Sequence, residues 1–209
     1  MSDQPIRILI VDDHPAIRIG LSAMLGGRPD LKVVGEAGDV ESALQSCAAL
    51  QPDVTLMDLR IPGGGGVEAT LAIRQRWPSV RVLVVTTYDG DEDIHRAVQA
   101  GASGYVLKGL TSAELVAAVL TVAKGGRALP PPVATALAER MNRKNLTPRE
   151  LEIVRRIVNG RSNKEIASDL AIGEESVKSH LRTLFHKLGV ADRTQAAIEA
   201  IRHGIVHLE

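Results

Sequence analysis

Asp12 and Asp13 close the apolar run IRILIV, Asp58 closes DVTLM, and Lys108 closes GYVL. Packing gives no reason for strand-like runs to end in charges. If these runs lie parallel in one sheet, all four side chains emerge at the same edge. Two carboxylates about 4 Å apart repel by about 4 kcal/mol at an effective dielectric of 20, so the cluster requires a counterion. Hard oxygen ligands with a partly open shell suit Mg²⁺, which keeps waters and accepts a phosphoryl oxygen. Asp58 could then attack phosphorus and form an aspartyl phosphate. The cation and Lys108 would offset charge on the equatorial phosphoryl oxygens. Thr86, at the end of RVLVV, offers a hydroxyl to the same group.

The elements that must position these residues are legible in the first half. Short β-branched runs at 6–11, 32–36, 53–57, 81–86 and 103–107 alternate with helical patterns near 15–25, 39–49, 66–76, 91–100 and 111–123. Runs apolar throughout, rather than alternating, predict strands covered on both faces. Five such repeats predict a doubly wound parallel five-stranded α/β domain over residues 1–125, with right-handed crossovers. In the strand order 2-1-3-4-5 the ligand site lies where the order reverses, between strands 1 and 3. Those strands end in Asp12-Asp13 and Asp58. Thr111-x-x-Glu114 reads as a capping box, and Gly101 as a helix stop.

Residues 126–145 read as a linker: Gly125-Gly126, three prolines at 130–132, then a short helix with Val133, Leu137 and Met141 on one stripe. Residues 146–209 read as a small all-α domain of four helices, near 148–159, 162–170, 174–188 and 193–203. Thr147, Ser162 and Asp192 each stand three residues before Glu or Gln, a helix-start signature. Ala171-Ile172-Gly173 joins the second of these helices to the third. In the third, Val177, Leu181, Leu184 and Leu188 share one face while Lys178, Ser179, Arg182 and His186 occupy another. Two short helices on a tight turn, the second bearing basic residues near its start, follow helix-turn-helix logic, with the second helix entering the DNA major groove.

The 209 residues are 44% apolar and 24% charged, with very few aromatics, so Val, Leu, Ile and Ala must build the core. No apolar stretch is long enough to span a membrane and MSDQP lacks a signal-peptide pattern, which predicts a cytoplasmic protein. Cys47 reads as a buried small hydrophobe. The net charge of zero hides an asymmetry: residues 1–125 carry 11 Lys and Arg against 15 Asp and Glu, and the remainder 14 against 10. An acidic half joined to a basic one fits a regulatory module attached to something that meets a polyanion.

The pattern Asp12-Asp13, Met57-Asp58-x-x-x-Pro62, Thr86 and Lys108 resembles the CheY-like receiver domain of bacterial two-component response regulators, over about residues 5–125. The resemblance implies phosphorylation of Asp58 by a sensor histidine kinase. It also implies Mg²⁺ held by Asp12 or Asp13, Asp58 and the backbone carbonyl of Arg60, with Tyr105 as a switch aromatic that turns inward when Thr86 engages the phosphoryl group. The chain departs from this pattern at Gly63-Gly64-Gly65-Gly66, where relatives carry larger residues between glycines. Glycine is costly to order, so a mobile loop that alters phosphorylation or dephosphorylation rates is expected.

Residues 146–196 closely resemble the LuxR-type helix-turn-helix of the NarL/FixJ family, through Leu146-Thr147-Pro148-Arg149-Glu150, Asn163-Lys164-Glu165-Ile166-Ala167, Val177-Lys178-x-His180 and Lys187-Leu188-Gly189-Val190. The resemblance implies that Lys178, Ser179 and Arg182 face base edges while Asn163, Lys164, His180 and Thr183 meet phosphates. Ser179 stands where some relatives present an apolar residue. Gly173 occupies an N-cap position where serine is common, a loss of a few tenths of a kcal/mol. The expected whole is a transcriptional regulator, not an enzyme, that dimerises on phosphorylation, releases its recognition helix from the receiver and binds paired half-sites in double-stranded DNA. Two competing readings are a phosphorylation-independent scaffold on a DNA-binding domain and an aspartate-nucleophile phosphohydrolase. The latter usually has an acid two residues after its nucleophile, where this chain has Arg60.

Overall fold

A computed structural model of the protein describes residues 4–87 and 90–207. Five parallel strands, β1 (Ile6–Val11), β2 (Leu31–Ala37), β3 (Val54–Met57), β4 (Arg81–Thr86) and β5 (Gly104–Leu107), form one sheet in the order β2-β1-β3-β4-β5. The connecting helices are α1 (Pro15–Leu25), α2 (Val40–Leu50), α3 (Gly66–Arg76) and α4 (Asp91–Gln99), with α5 (Ser112–Ala123) after β5. Successive residues of β1 are divided between two apolar clusters: Ile8 and Ile10 pack with α1 and α5, whereas Leu9 and Val11 pack with α2 and α3. Helices therefore cover both faces, which is why the strands read as unbroken apolar runs. The chain leaves β1 towards β2 and then crosses back to β3, so the order reverses between β1 and β3.

Local chemistry sets the element ends. Asp53 precedes β3 instead of opening it, because its carboxylate accepts the Arg7 amide at 2.8 Å. Asp39 caps α2 by accepting from the Ser42 amide, and Thr111 with Glu114 forms the reciprocal cap of α5. After α5 the chain returns along the outer edge of β5. The Tyr105 amide donates to the Ala128 carbonyl at 2.9 Å and the Ala128 amide to the Ser103 carbonyl at 3.2 Å, which blunts an open sheet edge. Cys47 is a fully buried free thiol on α2.

Residue packing divides the chain into two compact units, one of residues 1–88 and 94–134, the other of 89–93 and 135–209. Helix α6 (Pro131–Asn142) begins in the first and continues in the second. Its expected stripe is not one buried face: Val133 is buried, but Met141 is 74% exposed. The second unit carries α7 (Pro148–Val158), α8 (Asn163–Asp169), α9 (Glu174–Leu188) and α10 (Arg193–Arg202) around Ile153, Val154, Ile157, Ile166, Val177 and Leu184. Thr147, Ser162 and Asp192 cap α7, α8 and α10 through side-chain acceptors, while Gly173 supplies none to α9. No helix among the described residues is long and apolar enough to cross a membrane.

The glycines after Pro62 have a conformational reason. Gly63, Gly64 and Gly65 have φ of 90°, 119° and 98°, a region closed to most L side chains. Gly66 has a different reason: a Cβ there would stand 2.0 Å from the Asp58 carbonyl oxygen, because α3 starts directly against the end of β3. Gly66→Ala should therefore destabilise the fold by about 3 kcal/mol in urea unfolding, the upper range for overpacking. A loss below about 0.5 kcal/mol would contradict this packing.

Candidate functional site

Val11 pairs with Met57 in the β1–β3 register, so the next residue on each strand, Asp12 and Asp58, emerges at the same sheet edge. Backbone bonds hold both: the Asp58 amide donates to the Val11 carbonyl at 2.9 Å, and the Asp12 amide to the Ala37 carbonyl at 3.1 Å. Both carboxylates are buried, at 1% and 4% exposure. Lys108 reaches them from the end of β5, its Nζ 2.6 Å from Asp12 Oδ2 and 3.2 Å from Asp58 Oδ2. Its own amide donates to the Thr86 carbonyl at 2.7 Å, which aligns the β4 and β5 ends.

Burial raises the Asp58 pKa above the ordinary carboxylate value. Lys108 and the nearby Thr86 pull it down, and the Asp12 charge pushes it further up. The Lys108 pKa is also raised: burial lowers it, but hydrogen bonding and attraction to Asp12 and Asp58 outweigh that. Asp58 Oδ1 accepts the Leu59 amide at 2.9 Å, leaving Oδ2 towards Lys108. Thr86 is fully buried beside this group, yet its hydroxyl makes no well-formed hydrogen bond. Asp12 Oδ2 is also buried, and its partner is the Lys108 ammonium.

Asp13, with a third of its side chain exposed, lies next in the chain to Asp12. Ligand atoms of Asp12, Asp13 and His14 lie within 4.8 Å of one another, close enough to share one cation. His14 was not singled out from the sequence. Its Nδ1 is 2.6 Å from Asp13 Oδ1, and its amide donates to Asp12 Oδ1 at 2.9 Å. An open cavity of about 340 Å³, lined by Asp13, Arg60, Pro62, Gly64 and Gly65, adjoins the acids. Tyr105 is completely buried, with its ring already inward.

On α9, Val177, Leu181 and Leu184 turn into the core while Lys178, Ser179, Arg182 and Thr183 are exposed and His180 is half-buried. Lys178 Nζ lies 2.6 Å from Glu175, one turn earlier and largely solvent-exposed. Lys164 is exposed, whereas half-buried Asn163 accepts from Arg193 at 3.3 Å. Lys187 faces elsewhere: its Nζ lies 2.7 Å from Glu150 Oε2, the oxygen that also accepts the Thr147 amide at 2.7 Å. Glu150 is 3% exposed. The sequence showed Glu150 as half of a capping box but not its bond to Lys187, 37 residues away.

Residues 8–120 match the response regulator receiver domain, and residues 144–200 match the bacterial regulatory proteins of the luxR family. The chain is 38% identical to the transcriptional regulatory protein LiaR of Bacillus subtilis (strain 168), across 97% of this chain and 100% of that one. Among solved structures it is similar to the response regulator ChrA of a heme-sensing two-component system, with 38% identity, 97% and 100% coverage, and a TM-score of 0.59. It is also similar to RcsB of Salmonella enterica serovar Typhimurium bound to a promoter in the presence of phosphomimetic BeF3⁻, with 26% identity, 93% and 97% coverage, and a TM-score of 0.73. The class is thus a receiver joined to a helix-turn-helix. The chain belongs to the NarL/LuxR family of two-component response regulators, which regulate transcription.

Two measurements check the geometry. The folded protein holds the Asp58 proton to higher pH than the unfolded chain, so Asp58 contributes stability at low pH that is lost as pH rises through its raised value. In divalent-free buffer Asp58→Asn should therefore raise the melting temperature at neutral pH, with the two curves converging in acid. Lys187→Ala should cost about 2 kcal/mol, the scale of a bond to a charged group, whereas Lys178→Ala should change stability by less than about 0.5 kcal/mol. Equal losses in urea unfolding would contradict the assignment.

Proposed function

We propose that Asp58 is the phosphoacceptor and that its phosphorylation by a sensor histidine kinase controls dimerisation and sequence-specific DNA binding. The observation that carries this reading is the Lys108 ammonium set between buried Asp12 and Asp58, with the buried Thr86 hydroxyl alongside. Asp58, as carboxylate, attacks the phosphorus of a phosphohistidine; an O–P bond forms, the P–N bond breaks, and the imidazole nitrogen leaves with the bonding pair and takes up a proton. Lys108 neutralises charge on the transferred group, and the Thr86 hydroxyl donates to one of its oxygens. The donor set fits Mg²⁺: Asp12, Asp13 and Asp58 present hard carboxylate oxygens, three for one lysine ammonium, and the Arg60 carbonyl would complete them. When bound, the cation would offset negative charge on the phosphoryl oxygens. Exposed Arg60 offers no proton to a leaving group at neutral pH, which disfavours a phosphohydrolase.

In this reading Thr86 engages the phosphoryl group and Tyr105, buried on β5, is its partner in the switch. In the second unit α9 enters the major groove; Lys178, Ser179 and Arg182 meet base edges, while Asn163, Lys164, His180 and Thr183 meet phosphates. Arg182 can pair with guanine, and the small Ser179 hydroxyl tolerates several bases. Asn163 must share its side chain with Arg193 to do so.

The test is operator affinity with and without acetyl phosphate and Mg²⁺. The wild type should gain affinity and Asp58→Asn should not; equal wild-type affinity in both states would leave only a constitutive DNA binder. Lys178→Ala and Arg182→Ala should each weaken specific binding by about 1–3 kcal/mol. Unchanged affinity for both would remove α9 as the reading helix.

A further inference from the structure

We infer that Arg18, outside the site itself, is a positioning residue that holds Asp12 in its cation-binding orientation. The inference rests on the phosphoacceptor reading above. Arg18 lies on α1, four residues after His14, and only 20% of its side chain is exposed. One guanidinium nitrogen donates to the Asp12 backbone carbonyl at 2.7 Å. Its Nε donates to Glu36 Oε2 at 2.9 Å, near the end of β2. A single planar group thus ties together the end of β1, the first turns of α1 and the end of β2.

Asp12 needs such a tie. It is the first residue beyond β1, where the sheet no longer fixes both of its peptide groups. Its amide is held by the Ala37 carbonyl, and its carboxylate by the His14 amide and Lys108. Its carbonyl is held by Arg18. Without that bond the Asp12–Asp13 peptide can rotate, and rotation there turns both carboxylates out of register with Asp58. The rigid fork of arginine suits two acceptors at once in a way that a lysine ammonium does not.

The sign of the effect separates positioning from charge. Arg18 carries a positive charge close to a proposed cation site, partly offset by Glu36. If Coulomb repulsion were all that Arg18 contributed, its removal would tighten Mg²⁺ binding. If Arg18 holds Asp12, its removal weakens binding, on the order of tenfold or more, as losses of residues that orient metal ligands do.

The experiment is calorimetric titration of the unphosphorylated full-length protein with MgCl₂, for wild type, Arg18→Ala, Arg18→Met and Arg18→Lys. Circular dichroism and melting confirm that each variant is folded, and Arg18→Met keeps the aliphatic packing should Arg18→Ala not fold. The expected result is weaker binding by about tenfold in Arg18→Ala and Arg18→Met, with partial recovery in Arg18→Lys. Unchanged or tighter binding in the folded neutral variants overturns the positioning role while leaving the phosphoacceptor site intact. Absence of Mg²⁺ binding by the wild type overturns the cation site and, with it, this inference.

Discussion

The receiver depends on one ammonium group lodged between two buried carboxylates. Removing two carboxylates from water costs several kcal/mol each, and a single lysine offsets only part of that. With both acids ionised, Lys108 leaves the cluster with a residual negative charge, and the buried Thr86 hydroxyl makes no well-formed hydrogen bond. A stable core would have paired these groups fully; in the proposed function this imbalance is what a bound cation and a phosphoryl group would relieve.

The rest of the fold can be understood as the means of holding that arrangement. The reversal of strand order puts the ends of β1 and β3 side by side, and β5 brings Lys108 to the same edge from two strands away. Both sheet faces are covered by helices, so the strands themselves are rigid and apolar. Positive-φ glycines and the Gly66 contact let α3 begin against the Asp58 carbonyl without a side chain intervening. Arg18 and the Asp58–Leu59 turn then fix the two acids individually. The helix-turn-helix unit follows the opposite principle. The buried ion pair of Glu150 with Lys187 serves the core, while Lys178 and Arg182 remain in water where a polyanion can reach them.

Much of this was legible in the sequence because period and end chemistry agree. Five apolar runs marked the strands, the three closed by Asp12-Asp13, Asp58 and Lys108 marked their common edge, and Thr147, Ser162 and Asp192 marked helix starts that the structure places within a residue or two. What escaped was long-range pairing. Nothing local says that Arg18 reaches the Asp12 carbonyl, that Lys187 bonds Glu150, or that Arg193 occupies Asn163, because each contact depends on how helices pack and not on periodicity. His14 escaped for a different reason: next to two aspartates it reads as an ordinary residue before a helix. The glycine run was read as an entropic feature, yet three positive φ values show that its conformation requires glycine.

The most direct test of the central claim is to locate the phosphoryl group. The protein is incubated with acetyl phosphate and Mg²⁺, the acyl phosphate is trapped by borohydride reduction, and the modified residue is identified by peptide mass spectrometry. The account requires modification at Asp58 and none at Asp12 or Asp13. Modification at another residue, or none while the folded protein binds Mg²⁺, would contradict it.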